Sequence, residues 1–187
     1  ANALEDFNIL WFEEPIIPDT VEALADLRGR VKVPLSFGER LYGAWQFRTL
    51  LEARAADFVQ PDVSHAGGIT ELRKIAAIAE CHHIPFCPHN PSGPVANAAT
   101  LQLAASQPGF YLLETMASDV PYRREICDEQ VTLRDGYMSI PAERPGIGVD
   151  IDETEIAKHP YRPVSLRHYK GTLTEIRPAD AAAYFGS

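Results

Sequence analysis

The chain has 187 residues, 45% of them hydrophobic and 23% charged, proportions that suit one globular domain with a sizeable core. A formal net charge of -9 argues against nucleic acid or an anionic membrane as a partner, because both require a basic face. No apolar run approaches the ~18 residues of a membrane span, and no basic leader precedes an apolar stretch. Cys81, Cys87 and Cys127 are odd in number and lack metal-ligand spacing, which fits reduced thiols in the cytoplasm.

Ala1 to Phe7 reads as the last turns of a helix feeding a strand that ends at Trp11-Phe12-Glu13, so the chain is expected to enter in mid-fold. Asp19 with Glu22 three residues on resembles a capping box, and Val21, Leu24, Ala25 and Leu27 follow a helical period that Gly29 should stop. Val33 to Phe37 predicts the second strand, and Ala44 to Ala53 a helix that buries Phe47, Leu50 and Leu51. Trp45 on that helix is expected in the core or an interface. A third unit runs from Phe58 to Asp62 through Gly67-Gly68 into a helix from Ile69 to Glu80. The Cys81-His82-His83 run at its end reads as ordinary surface. A fourth unit has the strand Ile84 to Cys87 and an almost wholly apolar helix from Pro94 to about Ala105. Phe110 to Leu113 completes the series.

This alternation predicts a parallel sheet with right-handed crossovers. Near-continuous apolar strands fit a sheet covered on both faces. Beyond Glu114 the pattern changes. Val131 to Ile140 predicts a hairpin turning at Asp135-Gly136, and the stretch around Pro160-Tyr161-Arg162-Pro163 an extended tail that wraps another element. Five barrel-type strands stand where a closed barrel of this kind has about eight. The expected fold is therefore α/β, the C-terminal portion of a (β/α) TIM-type barrel in residues 1–125, followed by a hairpin and extended segment in residues 126–187. The remaining strands are expected to precede Ala1.

The strands share a chemical feature. Each ends in a carboxylate or a histidine: Glu13, Glu39, Asp62, His89 and Glu114. They are about two dozen residues apart, roughly one strand, one helix and two loops of such a barrel. Charges are costly inside strands, and all strand C-termini of a parallel barrel open on one face, so the five side chains should converge. Glu13 and Glu39 form a candidate Mg2+ site, since this cation takes oxygen ligands, usually a few carboxylates plus waters. A third ligand is expected from a strand outside the chain. Asp62 and His89 form a candidate dyad, in which a carboxylate fixes the tautomer of an imidazole and raises its basicity, as a general base needs. Glu114 is a candidate carboxylic acid, kept protonated to donate to a developing oxyanion. His65, Arg40 and Asn90 flank this face as loop residues, and Gly67-Gly68 permits a tight turn.

The strings Trp11-Phe12-Glu13-Glu14-Pro15, Gly38-Glu39-Arg40, Gln60-Pro61-Asp62-Val63-Ser64-His65-Ala66-Gly67-Gly68-Ile69-Thr70 and Pro145-Gly146-Ile147-Gly148-Val149 resemble the mandelate racemase branch of the enolase superfamily. Pro88-His89-Asn90-Pro91-Ser92-Gly93-Pro94 most resembles its galactonate dehydratase group. The resemblance implies that Glu13 and Glu39 are the second and third Mg2+ ligands and His89 the base. It makes Asp62 the partner of that base and Glu114 the acid that stabilises an enediolate. It also implies that three further elements precede Ala1: the first ligand, a general acid beside it, and an N-terminal capping domain on which the C-terminal tail would pack.

The implied activity is that of a carbon–oxygen lyase. It would convert a galactonate-like sugar acid, an aldonate or aldarate, to a 2-keto-3-deoxy acid with Mg2+. The expected partners are the small-molecule sugar acid, the N-terminal half-barrel with its cap, and further copies in a homo-oligomer. A racemase or epimerase with the same ligands remains open, as does a non-catalytic fragment or packing subunit that needs another chain for the first half of the barrel. Alone, the segment is expected to be inactive.

Overall fold

Short parallel strands set the frame of the site. β1 (Phe12–Glu13), β2 (Leu35–Phe37) and β3 (Phe58–Val59) lie side by side, with Phe12 opposite Leu35 and Ser36 opposite Phe58. The computed structural model describes residues 1–116, 118–128 and 131–162, and the backbone alone at 118–119 and 182–183. It divides into two compact units, Ala1–Pro91 with Ala99–Thr115, and Ser92–Ala98 with Met116–Ser187.

In the first unit a 3-10 helix, Asn2–Phe7, leads to β1. Helices α1 (Val21–Arg30), α2 (Gly43–Glu52) and α3 (Gly68–Cys81) follow the three strands in turn. α2 buries Phe47, Leu50 and Leu51, as its period predicts. α3 buries Leu72, Ile75, Ala76 and Ala79, a stripe at i, i+3, i+4 and i+7. With Leu24, Leu35, Phe37 and Phe86 these side chains are at most 5% exposed, and each large one contributes about 1.5–3 kcal/mol through burial.

The ends of α1 differ from expectation. The helix starts after Thr20, with no side-chain cap from Asp19 or Thr20, and runs through Gly29 to Arg30. Gly29 is exposed with nothing near the place of a Cβ, so it costs only its propensity, about 1 kcal/mol. Arg28 reaches across to Asp57 at 2.7 Å, and Arg30 pairs with Asp26 one turn back, which hold the last turn.

The fourth and fifth strands are also shorter than expected. Phe86 alone bridges Val59 on one side and Phe110 on the other, both in parallel. Val59 N–H donates to Pro85 O and Cys87 N–H to Val59 O; Phe86 N–H donates to Gly109 O and Tyr111 N–H to Phe86 O. Pro85 and Pro88 have no N–H to extend the ladder, which breaks the pairing into isolated bridges at Phe86 and, opposite Asp62, at His89. The order of the five parallel segments is nevertheless the chain order. Trp45 is not core: it is 65% exposed.

Gly38 decides how β2 ends. Its φ is +150°, and a Cβ there would lie 2.7 Å from the Gln60 backbone. Glycine thus lets the chain carrying Glu39 pass directly against the chain carrying Asp62.

α4 (Pro94–Ala105) supplies residues to both units. In the second, β4 (Ser118–Asp119) precedes β5 (Leu133–Arg134) and β6 (Tyr137–Met138), which form the expected hairpin through Asp135 and Gly136, both at positive φ. Arg144 joins Asp128 at 2.6 Å and Asp150 at 2.8 Å, and Asp152 caps α5 (Glu153–Ile156). β7 (Ala182–Ala183) pairs antiparallel with β4. The expected tail from Pro163 onward lies outside the described residues apart from that strand. Among the described residues no helix is long and apolar enough to cross a membrane.

Candidate active site

Because successive side chains alternate along an extended strand, Gln60 and Asp62 share one face. Asp62 is 3% exposed. Its Oδ1 accepts the Ser64 N–H at 2.7 Å, and its Oδ2 lies 2.7 Å from His89 Nδ1, with the two backbones bridged in parallel. Burial alone would raise the Asp62 carboxyl, but the bonds from His89 and Ser64 outweigh it and hold it below the usual range. It is therefore an acceptor, Nδ1 carries the donated proton, and Nε2 is the nitrogen turned to the site. That atom lies 3.1 Å from Glu39 Oε2 and 3.9 Å from Glu114 Oε2. Burial pulls the imidazole down, yet the bond to Asp62 and the charges of Glu114, Glu39 and Asp62 set it above its usual value.

Glu114 is held by Asn90, whose backbone N–H donates to Oε2 and whose side-chain amide donates to the Glu114 carbonyl, both at 3.1 Å. Burial raises its carboxyl above the ordinary range; the Asn90 N–H and His89 oppose this, and the charges of Glu13 and Glu39 add to it. Glu13 joins through Gln60, which donates to its Oε2 at 2.9 Å. Three of the sequence-predicted residues, Asp62, Glu39 and Glu114, thus meet directly around the fourth, His89. Glu13 is tied to them by charge and by the Gln60 bond. Arg40 and Asn90, read as loop residues, both touch this group, while His65 stacks with Tyr42 at 6.2 Å.

Sequence reasoning passed over Glu14, Ser36 and Gln60. Glu14, whose side chain is 9% exposed, pairs with Arg40 at 2.9 Å and accepts the Gly38 N–H at 3.5 Å. Burial and the neighbouring Glu39 raise it, against the pull of Gly38 and Arg40. The two-residue step from Gln60 to Asp62 was the available signal for Gln60.

These residues fit a divalent cation. The charges of Glu13 and Glu39 help to raise the carboxyls of both Glu14 and Glu114, which places the four acids near one another, and hard oxygen donors of this kind suit Mg2+. Cys87 fits no such role, since burial pushes its thiol up to about 11. In the second unit the ligand atoms of Glu125, Glu155 and His159 lie within 4.8 Å of one another. Glu155 there already engages Lys158, and the His159 ring stacks on Tyr122.

The model of the enolase C-terminal domain-like family matches residues 1–155, and the chain belongs to that family. It is 36% identical over 94% of its length to a D-galactonate dehydratase family member of Streptomyces bingchenggensis, covering 43% of that protein. It superposes with a TM-score of 0.81 on a mandelate racemase/muconate lactonizing enzyme-like protein from Roseovarius sp. TM1035, at 36% identity, covering 87% of this chain and 40% of that one. An enolase from Agrobacterium radiobacter bound to sodium and L-malate superposes at 0.77, with 32% identity over 89% of this chain and 46% of the other. The fold is thus the C-terminal part of a TIM-type barrel of the mandelate racemase branch. The chain spans less than half the length of the curated relatives it matches.

Proposed function

We propose that this chain carries the base-bearing half of a Mg2+-dependent sugar-acid dehydratase. One observation carries the reading: His89 is clamped at Nδ1 by a buried carboxylate and presents Nε2 among the carboxylates of Glu39 and Glu114. Glu13 and Glu39 would hold Mg2+, which when bound supplies positive charge for the substrate carboxylate and the enediolate that develops from it.

The remaining work falls to protein side chains. His89 Nε2 removes the proton from the carbon next to the carboxylate, a base of raised pKa being matched to a weakly acidic C–H. Asp62 holds the tautomer and stabilises the imidazolium that forms. Glu114, with its carboxyl raised, is protonated more readily than an ordinary glutamate and donates to the oxyanion. The β-hydroxyl then leaves as water with a proton from a general acid outside this chain, and the enol becomes a 2-keto-3-deoxy acid. The relation to a galactonate dehydratase family member favours an aldonate or aldarate as substrate.

Turnover of a panel of aldonic and aldaric acids by the complete protein tests this. A 2-keto-3-deoxy product that forms with Mg2+ and not after chelation is expected; no product from any member of the panel would contradict it.

Asp62→Asn should lower turnover about 10- to 100-fold, part of the ~10²–10⁴ that a general base supplies. Without the carboxylate's charge and its bond to Nδ1, two of the influences that raise the imidazole are lost, and the His89 pKa falls. The base acts unprotonated, so the acidic limb of the pH–rate profile should move to lower pH. A limb that stays in place, or moves up, would separate Asp62 from the base.

A further inference from the structure

Two N–H groups converge on one oxygen of Glu13. Gln60 Nε2 donates to Oε2 at 2.9 Å and Trp11 Nε1 at 3.2 Å. The Gln60 amide is itself fixed from behind, because the Ser36 hydroxyl bonds to its Oε1. A carbonyl oxygen can only accept, so Ser36 donates, and the NH2 end of the amide is turned toward Glu13. The order of donation is Ser36 to Gln60 to Glu13, across three adjacent strands.

The surroundings leave the relay little freedom. Ser36 is fully buried in the middle strand and Gln60 is 3% exposed. The Gln60 backbone donates to Phe37 O at 2.9 Å and lies against Gly38, so its main chain is held as well as its amide. A buried amide and hydroxyl cost free energy unless both are bonded, and here each bonds to the next and the last bond falls on a site carboxylate. An apolar pair of the same size would fill this core position. What it would lack is the grip on Glu13.

We propose that Gln60, backed by Ser36, is a positioning residue for the cation: it ties up Oε2 of Glu13 so that Oε1 is the oxygen offered to Mg2+. This rests on the reading of Glu13 as a metal ligand. A neutral donor suits the task, because it orients the carboxylate without adding a charge that competes with the cation. Partners that orient ligands in this way typically change metal affinity about 10- to 100-fold.

The test uses the complete protein and its Gln60→Leu, Ser36→Ala and Glu13→Gln variants. Mg2+ affinity is measured by calorimetry, Mn2+ affinity by electron paramagnetic resonance, and unfolding in the presence of chelator. Gln60→Leu should weaken both metals about 10- to 100-fold. Its turnover should return toward the wild-type value as Mg2+ is raised, which a generally damaged fold would not do. Ser36→Ala leaves the amide in place but free to turn, and should weaken metal binding in the same direction by a smaller factor. Metal affinities at the wild-type value in both folded variants, with binding lost in Glu13→Gln, would overturn the relay and leave the metal reading intact. Wild-type affinity in Glu13→Gln would overturn both.

Discussion

Replacing His89 with Asn in the complete protein should abolish exchange of the substrate's α-proton with solvent deuterium while leaving Mg2+ binding in place. Asn is polar and close in size to the imidazole, so the pocket beside Asp62 stays filled, but it has no nitrogen that accepts a proton near neutral pH. The loss should be about 10²–10⁴ in turnover, the span attributed to a positioned general base. The choice of Nε2 as the reacting atom follows from the 2.7 Å bond that occupies Nδ1. Exchange at the wild-type rate in this variant would take His89 out of the role of base and require another group to face the α-carbon.

The metal pair should respond differently at its two members. Glu13→Gln and Glu39→Gln each remove one anionic oxygen donor from the proposed cation site. Several kcal/mol of charge stabilisation depends on that cation, so each change should lower turnover by at least about 10²-fold at fixed Mg2+. Glu39 has a second contact. Its Oε2 lies 3.1 Å from His89 Nε2, and its charge helps to raise the imidazole, whereas Glu13 is tied to Gln60 and Trp11 instead. Raising Mg2+ should therefore recover more of the activity of Glu13→Gln than of Glu39→Gln. Equal and full recovery of both, or metal dependence unchanged in either, would argue against this division of roles.

Much of the frame was legible because the signals were redundant. Phe47, Leu50 and Leu51 lie on one face of a helix, and Asp135-Gly136 turns a hairpin, because period and turn chemistry pointed the same way. The meeting of Asp62 with His89 was readable from strand-end position alone, since parallel strands in chain order bring equivalent ends together. Helix limits were less legible. Nothing local distinguishes an exposed Gly29 that is tolerated in a last turn from one that ends the helix, and long-range bonds such as Arg28 to Asp57 settle it. The fourth strand shrank because two prolines flank Phe86, a cue present in the sequence but outweighed by its apolar run. Gln60 and Glu14 were missed for a different reason. Each looks like a neighbour of a stronger residue, and its part depends on side-chain bonds to strands about 24 and 47 residues away in sequence.

The most direct test is the structure of the complete protein with Mg2+ and a bound 2-hydroxy acid. The account predicts that Glu13 and Glu39 each place one carboxylate oxygen about 2.1 Å from a single ion, with His89 Nε2 facing the α-carbon and Asp62 still bonded to Nδ1. Glu13 and Glu39 turned to different faces, or an α-carbon out of reach of His89, would contradict it.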